Sequence, residues 1–261
     1  MFSRILIPYD GSARSLSSLP AGRSLGSGWG CPVELVHVGD HDPPPPSTPE
    51  PLHRLDGADP AASLRAAATG AEAGLLCMAT RGRTAASEML AGSVAGEVVR
   101  DLHAPIVLVG PTPQQVPAAR SPRLLLCLDG SAVAESIVPT VRTWADALES
   151  EVRVLHVAPP LPDPREGDFV VPEDTRHATS RVEAVVEELR DAGIEAQSTI
   201  AEHPDVPGRI VAQASSAMAD LVVMATHGRT GLARMLVGSV ARQVIARSPL
   251  PVLVQRPGDL A

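Results

Sequence analysis

The chain repeats itself, and that duplication constrains its fold more than any average over its 261 residues. Arg4-Ile5-Leu6-Ile7-Pro8-Tyr9-Asp10-Gly11-Ser12 returns as Arg123-Leu124-Leu125-Leu126-Cys127-Leu128-Asp129-Gly130-Ser131, an offset of 119, and Val33 to Val38 returns as Val152 to Val157 at the same offset. A longer match carries Leu75 to Thr84 onto Leu221 to Thr230, then Gly92-Ser93-Val94 onto Gly238-Ser239-Val240, and Pro105 onto Pro251, all at an offset of 146. The change from 119 to 146 leaves the first copy 27 residues short between Val38 and Leu75. The expected units are residues 1–110 and 122–261, joined by a proline-rich linker at 111–121.

Each copy alternates strand and helix. Ile5 to Pro8, Leu35 to Val38, Leu75 to Met78 and Ile106 to Val109 are short apolar runs closed by Asp, Gly or Pro, as strands buried on both faces are. After Gly92 the apolar positions Val94, Val98, Val99 and Leu102 fall at helical spacing, and after Gly238 so do Val240, Val244 and Ile245. Short strand-helix-strand connections give parallel pairing through right-handed crossovers, so the fold class is α/β, with two doubly wound parallel sheets of Rossmann-like type. In the second copy Ser180-Arg181-Val182-Glu183 matches a capping box, and Val182, Val185, Val186 and Leu189 form the apolar stripe of a crossover helix that Gly193 closes. A strand follows over 194–200, then a helix near Pro207 to Met218. The first copy has His41-Asp42 and a run of prolines there instead, which cannot be helix, before a helix around Ala61 to Ala73. Having lost a crossover helix, the first sheet should expose one face, which the other copy or a second chain would cover.

Composition narrows the chemistry. All 22 basic residues are arginine, so lysine-dependent machinery is excluded: the Walker P-loop, Schiff-base enzymes and protein kinases. A formal charge of −8 without a basic tract argues against nucleic acid, whose binding rests on phosphate neutralisation. No apolar run approaches the roughly 18 residues of a membrane span, and the first residues are too short an apolar stretch for a signal peptide, so a cytoplasmic location is expected. Cys31, Cys77 and Cys127 make no CxxC pair and read as small core residues. No metal-ligand spacing, Ser-His-Asp set or Cys-His set can be assembled.

The informative segment follows the strand at 75–78 and its copy. It runs Ala225, two residues, Gly228, nine residues, Gly238-Ser239 in the second copy, and Ala79, two residues, Gly82, nine residues, Gly92-Ser93 in the first. A glycine just past a strand lets backbone amides approach a ligand. Gly-Ser opening a helix presents unpaired N–H groups and a hydroxyl at the positive dipole end, which can hold phosphate without lysine. Asp10 and Asp129 stand at the same rim, where open α/β sheets bind ligands. The competing reading of these glycines is tight turns and close helix-strand contacts. His37 and His156, inside apolar strands, read as hydrogen-bonded core histidines, while His227 lies in the loop. Asp220 reads as a cap or turn residue, and Glu183, Glu187 and Glu188 as the wet face of their helix.

These blocks, in order and twice over, resemble the universal stress protein A family in its tandem form. The resemblance implies a five-stranded parallel sheet per unit, the first shortened, and ATP as cofactor, with Mg2+ as its counter-ion. By position it implies Asp129 and the backbone at Val157 for adenine and ribose, Ala225 and Gly228 for the pocket wall, and Gly238, Ser239 and Val240 for phosphates. The first-copy counterparts are Asp10, Val38, Ala79, Gly82, Gly92, Ser93 and Val94. The sequence departs from the family pattern once per copy, where alanine (Ala79, Ala225) replaces the first glycine. The second copy ranks higher because it keeps every crossover and has Gly231 where the first has Ala85. Arg83 and Arg229 are either phosphate partners or solvated loop residues. Three functions follow: a non-enzymatic, nucleotide-responsive stress protein with an unidentified protein partner; a nucleotide-independent interaction module; or, by fold analogy alone, an adenylyl-transferring enzyme. The family's pairing through last strands implies an intrachain pseudo-dimer, Ile106 to Val109 beside Pro251 to Val254, with a homodimer as a further option.

Overall fold

A computed structural model describes residues 2–69, 73–80, 94–112, 115–160, 173–226 and 238–257. The first half runs β1 (Arg4–Pro8), α1 (Leu19–Trp29), β2 (Val33–Val38), β3 (Leu52–Leu55), α2 (Pro60–Thr69), β4 (Gly74–Ala79), α3 (Val94–Asp101) and β5 (Ile106–Val109). The second runs β6 (Leu124–Cys127), α4 (Ala132–Glu135), α5 (Val138–Leu148), β7 (Val152–Ala158), α6 (Glu173–Asp191), β8 (Ala196–Glu202), α7 (Val206–Ser216), β9 (Leu221–Ala225), α8 (Ser239–Arg247) and β10 (Val252–Gln255).

The strands form one sheet in the order β3-β2-β1-β4-β5-β10-β9-β6-β7-β8. Within each half all pairing is parallel; between halves β5 and β10 pair antiparallel, with Ile106 opposite Val254 and Leu108 opposite Val252. The two expected five-stranded sheets are thus halves of a single ten-stranded one, and the last strands meet as the family resemblance implied. Alternate side chains along the buried strands point to opposite faces. Ile5, Leu75, Leu126 and Val223 join α1, α5 and α6 in one core; Leu6, Leu76, Leu125 and Val222 join α2, α3, α7 and α8 in the other. Helices on both faces make the sheet doubly wound.

The seam between halves is closed by more than strand pairing. Trp29 of α1 meets Trp144 of α5 edge to face at 4.5 Å, and Phe2 packs on both. The Ser24 hydroxyl donates to the Pro117 carbonyl at 2.6 Å, and Asp220 accepts from the Ala118 and Arg123 amides at 3.0 and 2.8 Å. Asp220 therefore anchors the connecting segment, the turn role read from sequence.

Three local expectations change. First, β3 pairs parallel with β2, although sequence periodicity named no strand at 52–55; four residues wedged behind Pro51 are too few to show a period. Second, α6 begins at Glu173, so Ser180 lies inside the helix and does not cap it. Third, the shortened half does not leave its face to another copy or a second chain. Residues 39–51 lie there: the Tyr9 hydroxyl donates to the Pro44 carbonyl at 3.0 Å, Pro44 abuts Gly11, and Arg23 of α1 pairs with Glu50 at 2.5 Å. Mutual hydrogen bonding in that pair raises the Arg23 pKa and lowers that of Glu50. In the other half α6 takes this place, with Ala178 against Gly130 as Pro44 is against Gly11. A stiff extended stretch has replaced a helix, and with it goes the ground for expecting a second chain on that face.

Candidate functional site

Strand order reverses direction between β1 and β4 in the first half and between β6 and β9 in the second. At such a point neighbouring crossovers leave on opposite faces and a crevice opens beyond the carboxyl ends of the strands. In the second half the crevice is a cavity of about 260 Å³ lined by Asp129, Val157, Ala225, Gly238, Ser239 and Val240 among others. Six of the seven second-half positions inferred from sequence are thus together; the seventh, Gly228, lies outside the described residues.

Each wall has a local cause. β6 ends at Cys127, and Gly130 turns the chain with φ of 80°, a conformation that favours glycine. The Asp129 Oδ1 accepts from the Ser131 amide at 3.0 Å and its hydroxyl at 2.5 Å, while the Ser131 oxygen accepts from the Ala134 amide at 3.1 Å, capping α4. Behind this turn the His156 Nδ1 sits 2.9 Å from the Leu128 carbonyl, fixing the residue just before Asp129. His156 is 4% exposed and hydrogen-bonded, as a core histidine should be.

Opposite, β9 ends in Ala225, whose backbone lies in the parallel ladder beside Gln255. Neither Ala225 nor Ala79 has positive φ, so alanine is accommodated at both positions without backbone strain. The methyl of Ala225 simply forms part of the wall. Gly238 is the N-cap of α8, held by its amide on the Thr226 carbonyl, and has no side-chain cap. The first amides of α8, at Ser239 to Ala241, have no intrahelical acceptor and form the positive end of the helix dipole.

Between the Asp129 turn and the α8 terminus the lining is apolar: Leu128, Leu155, Val206, Ile210 and Met224. Sequence reasoning missed these residues because it sought polar motifs; the signal was their place at strand ends and on the first turns of α7. Cys127 also lines the cavity, and burial pushes its thiol up to about 12, so it is a neutral wall and not a thiolate. One carboxylate, an apolar slot and a row of amides suit a planar heterocycle bearing hydroxyls and an anionic tail. Among the described residues no cluster of His, Cys, Asp or Glu could hold a metal ion.

The first half repeats the frame. The Asp10 Oδ1 accepts from the Ser12 amide at 3.0 Å and its hydroxyl at 2.6 Å, and the His37 Nδ1 sits 2.8 Å from the Tyr9 carbonyl. Val38 and Ala79 end β2 and β4, and Val94 opens α3. Gly82, Gly92 and Ser93 lie outside the described residues, as do Arg83, Ala85, His227, Arg229 and Gly231.

A sequence model described as the universal stress protein family matches residues 48–110 and 121–256. The chain belongs to the universal stress protein family. Residues before 48 are not matched, although β1 and the Asp10 turn copy the second half's geometry. A universal stress protein of Mycobacterium tuberculosis is 30% identical over 205 residues, covering 71% of this chain and 62% of the relative. The chain therefore spans about three fifths of the length of this mycobacterial universal stress protein. One from Methanocaldococcus jannaschii is 33% identical over 141 residues, 51% of this chain and 80% of that protein. The crystal structure of a universal stress protein from Archaeoglobus fulgidus shares the fold, with a TM-score of 0.65 at 19% identity over 98% of this chain and 97% of the other. No helix among the described residues is long and apolar enough to cross a membrane.

Proposed function

We propose that this tandem universal stress protein is a non-enzymatic adenine-nucleotide-binding protein of the stress response, that residues 1–110 and 122–261 act as its two units, and that it works in the cytoplasm. ATP, carrying Mg2+ on its phosphates, would sit in the second-half cavity. The observation that carries the reading is the convergence of Asp129, Val157, Ala225, Gly238, Ser239 and Val240 on one crevice at the strand-order switch. Asp129 would accept from ribose hydroxyls, the apolar slot would take the adenine, and the α8 amides with the Ser239 hydroxyl would hold phosphate. Among the described lining residues, Asp129 already accepts from the Ser131 amide and hydroxyl and Cys127 is a neutral buried thiol, which favours binding over turnover. Occupancy would act by favouring one conformer or partner over another through differential affinity.

A ligand confined to the folded state stabilises it by about 2.7 kcal/mol at a hundredfold excess over its Kd. ATP is accordingly expected to raise the melting temperature of the full chain, and Gly238→Val, which puts a branched side chain at the α8 terminus, should abolish the rise. A wild-type chain unmoved by millimolar ATP would sink the proposal. It would favour the second reading, a nucleotide-independent interaction module, for which one observation speaks: about 260 Å³ lies just below the roughly 300–1,000 Å³ of small-molecule sites.

A further inference from the structure

The sheet ends in β3 on one side and β8 on the other, and the two edges differ. β3 has four residues, and its Arg54 reaches both the Asp42 carboxylate and the Gly39 carbonyl, so that edge is short and charged, as natural edges usually are. β8 has seven residues, Ala196–Glu202, none of them proline, lysine or arginine. Its pairing with β7 fixes which main-chain groups are engaged. The Val152 amide donates to the Glu195 carbonyl, and the His203 amide to the Ala158 carbonyl, with Val152 opposite Ala196. In a parallel ladder this points Gln197, Thr199 and Ala201 toward β7 and turns the N–H and C=O groups of Ala196, Ser198, Ile200 and Glu202 outward. The Ala196 carbonyl accepts there from the Arg190 Nε at 2.9 Å. The outward groups of Ser198 and Ile200 have no partner among the described residues, and Ile200 is 41% exposed.

Charge brackets this open strand. Arg190 sits at its start, on the Ala196 carbonyl, and Glu202 at its end; among the described residues neither forms an ion pair. Strand rise separates Ala196 from Glu202 by about 20 Å, too far for the two charges to meet within one chain. A second β8 laid antiparallel, about a two-fold axis at Thr199, brings them together. Its Ser198 falls opposite Ile200 and its Glu202 opposite Ala196. Each Ser198–Ile200 pair then exchanges both N–H···O bonds, the two Ile200 side chains become diagonal neighbours on one face, and Glu202 of each copy reaches the Arg190 held on the other. The contact is isologous and closes on itself. It repeats the way the chain already joins its own halves, β5 against β10.

We propose that the chain forms a two-fold dimer through β8, extending its sheet into that of a second copy. The occupant is another copy of this chain, because Arg190 and Glu202 carry opposite charges spaced for the strand's own reverse. The proposal does not depend on the nucleotide reading. Sedimentation equilibrium of the full chain should show monomer and dimer in exchange. Ile200→Pro removes an N–H that points away from β7, so the ladder to β7 is kept and the circular dichroism spectrum should be unchanged, while association should weaken about tenfold. Arg190→Glu and Glu202→Arg each set like charges against one another at both ends of the contact and should each weaken association about tenfold. Mixed in equal amounts, these two charge variants form a heterodimer in which both contacts are again of opposite sign, and association should return to within about threefold of wild type. A wild-type chain that stays monomeric at about 0.1 mM would overturn the proposal. So would a dimer that survives Ile200→Pro, or a mixture of the two charge variants that associates no better than either alone.

Discussion

Trp29 and Trp144 are the two tryptophans of the chain, and they touch each other across the seam between halves. Trp144 is 3% exposed, so its replacement by alanine removes a large buried ring and should cost about 3–5 kcal/mol. At this chain size each kcal/mol moves the melting temperature by about 2–4 °C, giving a fall of about 6–20 °C. Trp29 is half-buried and should cost less. Their edge-to-face contact carries about 0.5–1.5 kcal/mol beyond the area each buries, and a double-mutant cycle isolates it. The assay is urea unfolding of wild type, Trp29→Ala, Trp144→Ala and the double variant, followed by circular dichroism because the double variant has no indole. A coupling energy below about 0.3 kcal/mol would mean that α1 and α5 do not meet in solution, and the seam as described would be wrong.

Two further outcomes follow from the geometry. Gly130→Ala forces a side chain into φ of 80° and places its Cβ 2.5 Å from that of Ala178, so α6 must move off the Asp129 turn; the melting temperature should fall and the ATP-induced shift should shrink. Burial pushes Cys77 and Cys127 up to about 12. Their folded pKa values are raised, so the stability they confer is whole below the unfolded value near 9 and is lost as pH climbs toward 12, by up to about 1.4 kcal/mol per pH unit per thiol. Unfolding free energy measured from pH 8 to 11 should fall less steeply in Cys77→Ala, Cys127→Ala than in wild type.

The duplication made most of this fold legible. Repeated blocks at two constant offsets located eight of the ten strands and both Asp-Gly-Ser turns, because strands buried on both faces must be continuous apolar runs. What escaped was decided by contacts distant in sequence. β3 exists because β2 offers it an edge, not because Leu52-His53-Arg54-Leu55 has strand character of its own. The start of α6 was misplaced because a capping-box pattern inside a helix looks the same as one at its end. At the cavity, the polar rim was readable from glycine spacing, whereas Leu128, Ile210 and Met224 are ordinary core residues until the topology leaves them beside open space. The proline stretch was recognised as non-helical, but its seat against Tyr9 and Gly11 depends on a hydrogen bond between residues distant in sequence that composition does not encode.

The antiparallel join of β5 to β10 also sets the molecule's polarity. Because all strands of one half run against those of the other, the two Asp-Gly-Ser turns open toward opposite poles. No single small molecule can bridge them, and a protein docking at one pole cannot touch the mouth of the other. Any message passing from Asp129 to Asp10 would have to cross the seam, through its central strands or the α1–α5 contact, which the tandem chain keeps permanently joined at any dilution.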